Sequence, residues 1–158
     1  MKIETSNKIV EKAIDDLLSK AGFKRKGKVW YVDNAETFSL LELQKSNYGD
    51  QYYINLAVFV KKLGSNPFPK EHQCHVRGRL TSLLKDKSDA EKSLDLENVS
   101  IPMEKRIASV SSMIKNIALP LLSEMRSMGG IKRLLIENKL EEFLVSLKLK
   151  KLLRIDEE

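Results

Sequence analysis

The feature that most limits what this chain can fold into is a change of period. Between Gln51 and Lys61 the sequence reads QYYINLAVFVK, in which Tyr52, Ile54, Leu56, Val58 and Val60 alternate without a break. Apolar residues at period two over that length make a β-strand with one face committed to a core. The other face, Gln51, Tyr53, Asn55, Ala57 and Phe59, is mixed in polarity. Upstream the period is different. Ile9, Val10, Ala13, Ile14, Leu17, Leu18 and Ala21 fall on one stripe of a helix spanning Thr5 to Ala21. Gly22 follows as a left-handed cap, and Phe23 can fold back on the last turn.

Two further strands fit between these elements, KVWYVD (28–33), which is short, aromatic and β-branched, and the longer TFSLLELQK (37–45). The connections 33–36 and 46–50 have hairpin length and turn chemistry. Gly64, Pro67 and Pro69 make 63–72 a loop, and 75–80 (HVRGRL) reads as a fourth strand, with a helical turn near Leu80 as its alternative. The polar stretch 85–92 reads as an exposed connection, and 93–99 as a fifth, edge strand. Helical spacing returns at Met103, Ile107, Val110, Ile114, Ile117, Leu121 and Met125. Pro102 suits the first turn, Pro120 should kink or split the helix, and Gly129-Gly130 should stop it. Helical segments over 131–137 and 139–153 complete the chain, the second opened by a capping box of Asn138 and Glu141.

Strands clustered mid-chain between helices predict an α+β fold. The expected form is an antiparallel four- to five-stranded sheet packed against an N-terminal helix and C-terminal helices. Residues 1–158 read as one domain, with helix and sheet in 1–100 and a helical part in 101–158. At 158 residues the chain suits one sizeable core, and 42% apolar with 32% charged residues fits a globular protein. A single cysteine, Cys74, leaves no internal disulfide and points to a reducing compartment. The charged N-terminal stretch is unlike a signal peptide, and no apolar run could span a bilayer, so a cytoplasmic, non-membrane protein is expected.

The densest polar group is His72-Gln73-Cys74-His75-Val76-Arg77-Gly78-Arg79. His72, Cys74 and His75 could ligate a metal, but structural zinc sites take four ligands from separated pairs, and no other Cys or His exists here. Neither metal nor cofactor is therefore expected. Arg77 and Arg79, two apart on a strand, face one way together with His75 and could fork an oxyanion, or pair structurally with acids nearby. Gly78 between them frees space on the opposite face for a close neighbour. A hydrolytic role for His75 would require an acidic partner such as Asp50 or Glu42. Nucleophile elbow, Walker loop, dinucleotide fingerprint and HExxH are all missing from the sequence.

The formal charge is +6, from 28 basic and 22 acidic residues. Lys24, Arg25, Lys26 and Lys28 form a basic knot before Trp30 and Tyr31, with Tyr48, Tyr52 and Tyr53 further on. Basic residues interleaved with aromatics can hold single-stranded nucleic acid by stacking and phosphate contact. Core or cross-strand packing of those aromatics is the plainer alternative. The basic amphipathic segment LVSLKLKKLLRI at 144–155 reads as packing on the domain with solvated lysines.

The stretches Phe23-Lys24-Arg25-Lys26-Gly27, Leu43-Gln44-Lys45-Ser46, Tyr52-Tyr53-Ile54-Asn55-Leu56 and Cys74-His75-Val76-Arg77-Gly78-Arg79-Leu80 carry a resemblance. Together they resemble the bacterial domain-of-unknown-function family numbered 4304, over about residues 9–84 and the helix after Pro102. Ala57 departs from it, standing where glycine is expected. The resemblance implies a small α+β domain and leaves activity open; stand-alone domains of this kind suggest immunity-type or interaction roles by analogy. The expected function is a non-enzymatic protein-interaction module whose ligand-binding candidates are Gln44, Tyr53, Asn55, His75, Arg77 and Arg79. The alternative is a nucleic-acid or phosphate-ligand binder using the sheet arginines with Lys24, Arg25, Lys26 and Lys28.

Overall fold

A computed structural model describes residues 3–155. Helix α1 (Ile3–Lys20) places Val10, Ile14 and Leu18 on its buried stripe, and Gly22 turns the chain at φ 92°. The next strands are β1 (Lys24–Lys26), β2 (Val29–Asp33), β3 (Thr37–Lys45), β4 (Tyr52–Val60) and β5 (Val76–Arg79). The last is β6 (Leu144–Val145). They form one antiparallel sheet whose spatial order is the sequence order, a meander of six strands.

The additions to the expected sheet are its two short edges. β1 forms because Gly27, at φ 62°, supplies the turn that folds Lys24–Lys26 back on Val29–Tyr31. β6 forms because the tail pairs Leu144 with Arg77 and Val145 with Val76. No helix therefore runs from residue 139 to 153. Asn138, at φ 58°, ends the preceding helix, with Lys139 N–H reaching back to the Leu134 carbonyl, so it is a C-terminal cap and opens no helix.

The supposed fifth strand at 93–99 is not one. Helix α2 (Lys87–Ser93), capped by Asp86 on the Ser88 N–H, occupies what reads as a polar connection. The residues after it turn, meeting the sheet at a single bridge between Gln51 and Asp95. That turn is held by Arg106, 3% exposed, whose guanidinium donates to the carbonyls of Lys92, Ser93, Asp95 and Asn98.

Helix α3 (Met103–Met113) is divided from α4 (Leu119–Glu124) by a π turn over Ile114–Ala118. Pro120 accounts for its position: lacking an N–H, and with a ring that crowds the carbonyl four residues back, it forces the turn ahead of it to widen. Leu119 N–H reaches Ile114 O instead. The Gly129-Gly130 pair starts α5 (Met128–Ile136) and stops nothing. A Cβ at Gly130 would collide with the Glu124 carbonyl, so α5 can follow α4 this tightly only through glycine. Ser146 caps the closing helix α6 (Leu147–Leu152) on the Leu149 N–H.

The helices pack on one face of the sheet. Val10, Ile14 and Leu18 of α1 and residues of α3 to α6 enclose Trp30, Leu41, Leu43, Ile54, Leu56, Val58, Val60 and Val76 in one core. Gly78 lies on this face under the ring of Phe143. The outer face carries a smaller apolar cluster of Phe38, Leu40, Ala57, Phe59 and Cys74. Its cover is Phe68 from the proline loop, which stands edge-on to Tyr31 and Phe38; the C-terminal helices do not reach it.

Candidate functional site

Register alone arranges the outer face as a grid, because residues paired across an antiparallel sheet share a face. One row crosses five strands as Lys26, Val29, Glu42, Asn55 and Arg79. The row beside it reads Lys24, Tyr31, Leu40, Ala57, Arg77 and Leu144. Gln44 stands opposite Tyr53 on the other flank. Thus Gln44, Tyr53, Asn55, Arg77 and Arg79 come together as their spacing requires, and His75 shares their face at the far end.

Two hollows lie on this grid. The first, about 470 Å³, is polar and is bounded by Gln44, Asn55, Glu71, Arg77, Arg79 and Glu142, with Leu144 at its rim. Arg77 is committed within it: its Nε donates to Glu71 Oε1 at 3.0 Å. Arg79 is free by comparison. Its guanidinium carbon lies 3.8 Å from the centre of the Tyr53 ring, and among the described residues no carboxylate is within ion-pair distance. Stacking holds the guanidinium plane while leaving its in-plane N–H groups to donate elsewhere. Asn55 donates to Glu42 (3.0 Å) and to Gln44 Oε1 (2.8 Å), which leaves the amide NH₂ of Gln44 directed away from Asn55.

The second hollow, about 540 Å³, adjoins the first and shares Gln44 and Glu71 with it. Val29, Leu40, Phe68 and Pro69 make it apolar, and Lys26, Lys70, Glu42 and His72 stand around it. None of its apolar residues stands out as a site residue in the sequence. The available signal was the double parity of TFSLLELQK: Leu41 and Leu43 fill one face while Phe38 and Leu40 leave a second apolar face needing a cover. Glu142 and Leu144 had no signal at all, since only the pairing of β6 brings them here.

His75 lies outside both hollows. Its Nδ1 accepts the Val60 N–H at 2.9 Å, its ring packs on Phe59, and burial, aided by Lys148, holds its pKa below the usual histidine range. Neither proposed acid serves it: Asp50 pairs with Lys45 at the hairpin, and Glu42 accepts from Asn55. Cys74 is buried against the Lys70 carbonyl, and burial, with Glu71 nearby, pushes its thiol up to about 12. Such a thiol carries almost no thiolate at neutral pH. Among the described residues no three His, Cys, Asp or Glu side chains group as metal ligands would.

The basic knot divides between the two faces. Arg25 and Lys28 reach Glu11 of α1 at 2.9 and 3.2 Å, and Arg25 lies over Trp30. Lys26 lies over Phe68 on the outer face, beside exposed Lys24. Trp30 is fully buried with its N–H on Asp15, and Tyr52 is 4% exposed, so neither offers a ring on which a base could stack.

Fold and groove together define an α+β domain built on a six-stranded antiparallel meander, with helices on one face and a composite groove on the other. By sequence the chain belongs to the family described as Domain of unknown function (DUF4304), which matches residues 14–124. No curated protein and no solved structure matches it significantly. The family match ends at the close of α4, so Glu142 and Leu144 reach the groove from beyond the matched residues.

Proposed function

We propose that this domain is a protein-interaction module that receives an extended segment of a partner chain across the outer face of its sheet. The observation that carries this reading is the adjacency of the two hollows. One is apolar and the other polar, both are open to solvent, and they are joined at Gln44 and Glu71. Small-molecule sites enclose most of their ligand. An open, two-part groove suits a chain laid along it, one side chain in each part.

Charge favours a polypeptide over nucleic acid. The cations lining the two hollows are Lys26, Lys70, Arg77 and Arg79, and the acids are Glu42, Glu71 and Glu142, so 4 − 3 leaves +1. A polyphosphate backbone needs many uncompensated cations along its path. The immunity-type role suggested by the resemblance is one form of the same reading, with the partner supplied as a whole protein.

Selection from a random linear-peptide display library tests it. Enriched peptides should bind the wild-type domain and lose about tenfold or more in affinity to Gln44→Trp, whose ring would sit on the ridge between the hollows. Gln44 is exposed, so the ring adds no volume to the core, and Asn55, which loses its bond to Gln44, keeps the one to Glu42. A library yielding no binders, or binders indifferent to that substitution, would remove the reading.

A further inference from the structure

Resting on that reading, we infer that the groove selects segments in which a side-chain carboxylate lies about four residues from an apolar side chain, the carboxylate docking on Arg79 and the apolar group on Val29 and Phe68. The two ends of the groove differ in chemistry in a way that fixes this pairing. At the β5 end, Arg79 is exposed and stacked on Tyr53 at 3.8 Å, and no carboxylate among the described residues lies within ion-pair distance of it. A guanidinium held flat by an aromatic ring offers a planar fork that matches a carboxylate with two parallel hydrogen bonds.

Arg77 alongside carries a partner already, Glu71 at 3.0 Å. The polar hollow therefore has two cations, Arg77 and Arg79, against two acids, Glu71 and Glu142. A single incoming negative charge is accommodated by the free arginine. A doubly charged phosphate, or a run of acidic residues, would meet the two glutamates as well. Complementarity here is to one carboxylate.

At the β2–β3 end the half-buried Val29 and Phe68 present the apolar surface, with buried Leu40 and Pro69 behind them and polar groups only around the rim. An aliphatic or aromatic side chain gains there by leaving water. The spacing follows from the grid. Val29 and Arg79 occupy one row on β2 and β5, three strand steps apart. Three steps amount to about 14 Å, which an extended chain covers in about four residues. A segment crossing the strands at right angles thus delivers both groups at once, passing over Glu42, Asn55 and the free amide of Gln44.

The test uses short synthetic peptides, acetylated and amidated so that the side chain supplies their only carboxylate. Each carries one Leu and one Asp in a Gly/Ser/Gln background, with the pair set from adjacent to about six positions apart. Binding to the intact domain, read by fluorescence anisotropy, should peak at a separation of about four. At that separation Asp→Asn in the peptide should weaken binding about tenfold, in line with a hydrogen-bonded charge. That penalty should vanish in Arg79→Gln and be partly kept in Arg79→Lys. Peptides that bind the groove and are displaced by Gln44→Trp, yet show no Asp preference, or keep that preference in Arg79→Gln, would overturn the carboxylate inference alone. Binding with no dependence on either the peptide pair or Gln44 would overturn the groove itself.

Discussion

The ring of Phe143 fills the space that a side chain on Gly78 would occupy, so that a Cβ there would run into the ring. This contact clamps the tail to β5 and lets β6 pair with it, which in turn carries Glu142 and Leu144 to the groove.

Gly78→Ala should accordingly cost about 2 kcal/mol or more through overpacking, and Phe143→Ala about 3–4 kcal/mol through the cavity left behind. The double variant should be less destabilised than the two single effects added, since the added methyl enters the vacated space. Urea denaturation of the three variants measures this. Strict additivity would show that the two residues do not compete for one volume.

His75 should make stability depend on pH. Its folded-state pKa is lowered from 6.5 by burial and by Lys148, so the unfolded chain binds its proton more readily. Stability from this group is therefore complete above about pH 6.5 and declines as pH falls below it. Protonation would in addition take away the Nδ1 lone pair that accepts the buried Val60 N–H. Thermal melts between about pH 7.5 and 5.5 should show the decline in the wild type and a smaller one in His75→Asn, whose Oδ1 accepts at every pH. His75→Ala should cost about 1–3 kcal/mol at neutral pH by orphaning that N–H.

Arg106 should be the largest single polar contributor to stability. It is 3% exposed and donates to four carbonyls that would otherwise lack these partners where the chain turns between α2 and α3. Arg106→Met keeps the length but no donor, and should destabilise by roughly 3 kcal/mol. Arg106→Lys should recover little of it, because one ammonium cannot replace the fork. Hydrogen exchange in residues 93–98 should quicken in both; unchanged exchange would show that the turn holds without the arginine.

Cys74 should resist alkylation at pH values near neutrality while the protein is folded, and react promptly in denaturant. Its thiol is raised to about 12 chiefly by burial and points at the Lys70 carbonyl. Native-state labelling as fast as that of a free thiol would contradict the buried placement.

Much of the fold was legible because its elements announce themselves locally. The stripe of α1 and the unbroken alternation of β4 each name their buried face, and a two-residue spacing is enough to put Arg77 and Arg79 on one surface. What failed were segments whose local signal is equivocal. Leu94 and Leu96 alternate like a strand, yet Arg106 gathers the surrounding carbonyls into a turn. Asn138 and Glu141 have capping-box spacing, but asparagine also tolerates the left-handed conformation that ends a helix, and packing of α5 selects that use.

The sequence by itself determined the alternation of helix and strand and which residues of each strand share a side, since those follow from backbone periodicity of 3.6 and 2. Tertiary structure decided which cations remain available. Glu11 takes Arg25 and Lys28, Glu71 takes Arg77, and Tyr53 supports Arg79 without neutralising it. Charge pairing depends on distance through space, and residues far apart in the chain acquire that distance only when the sheet assembles.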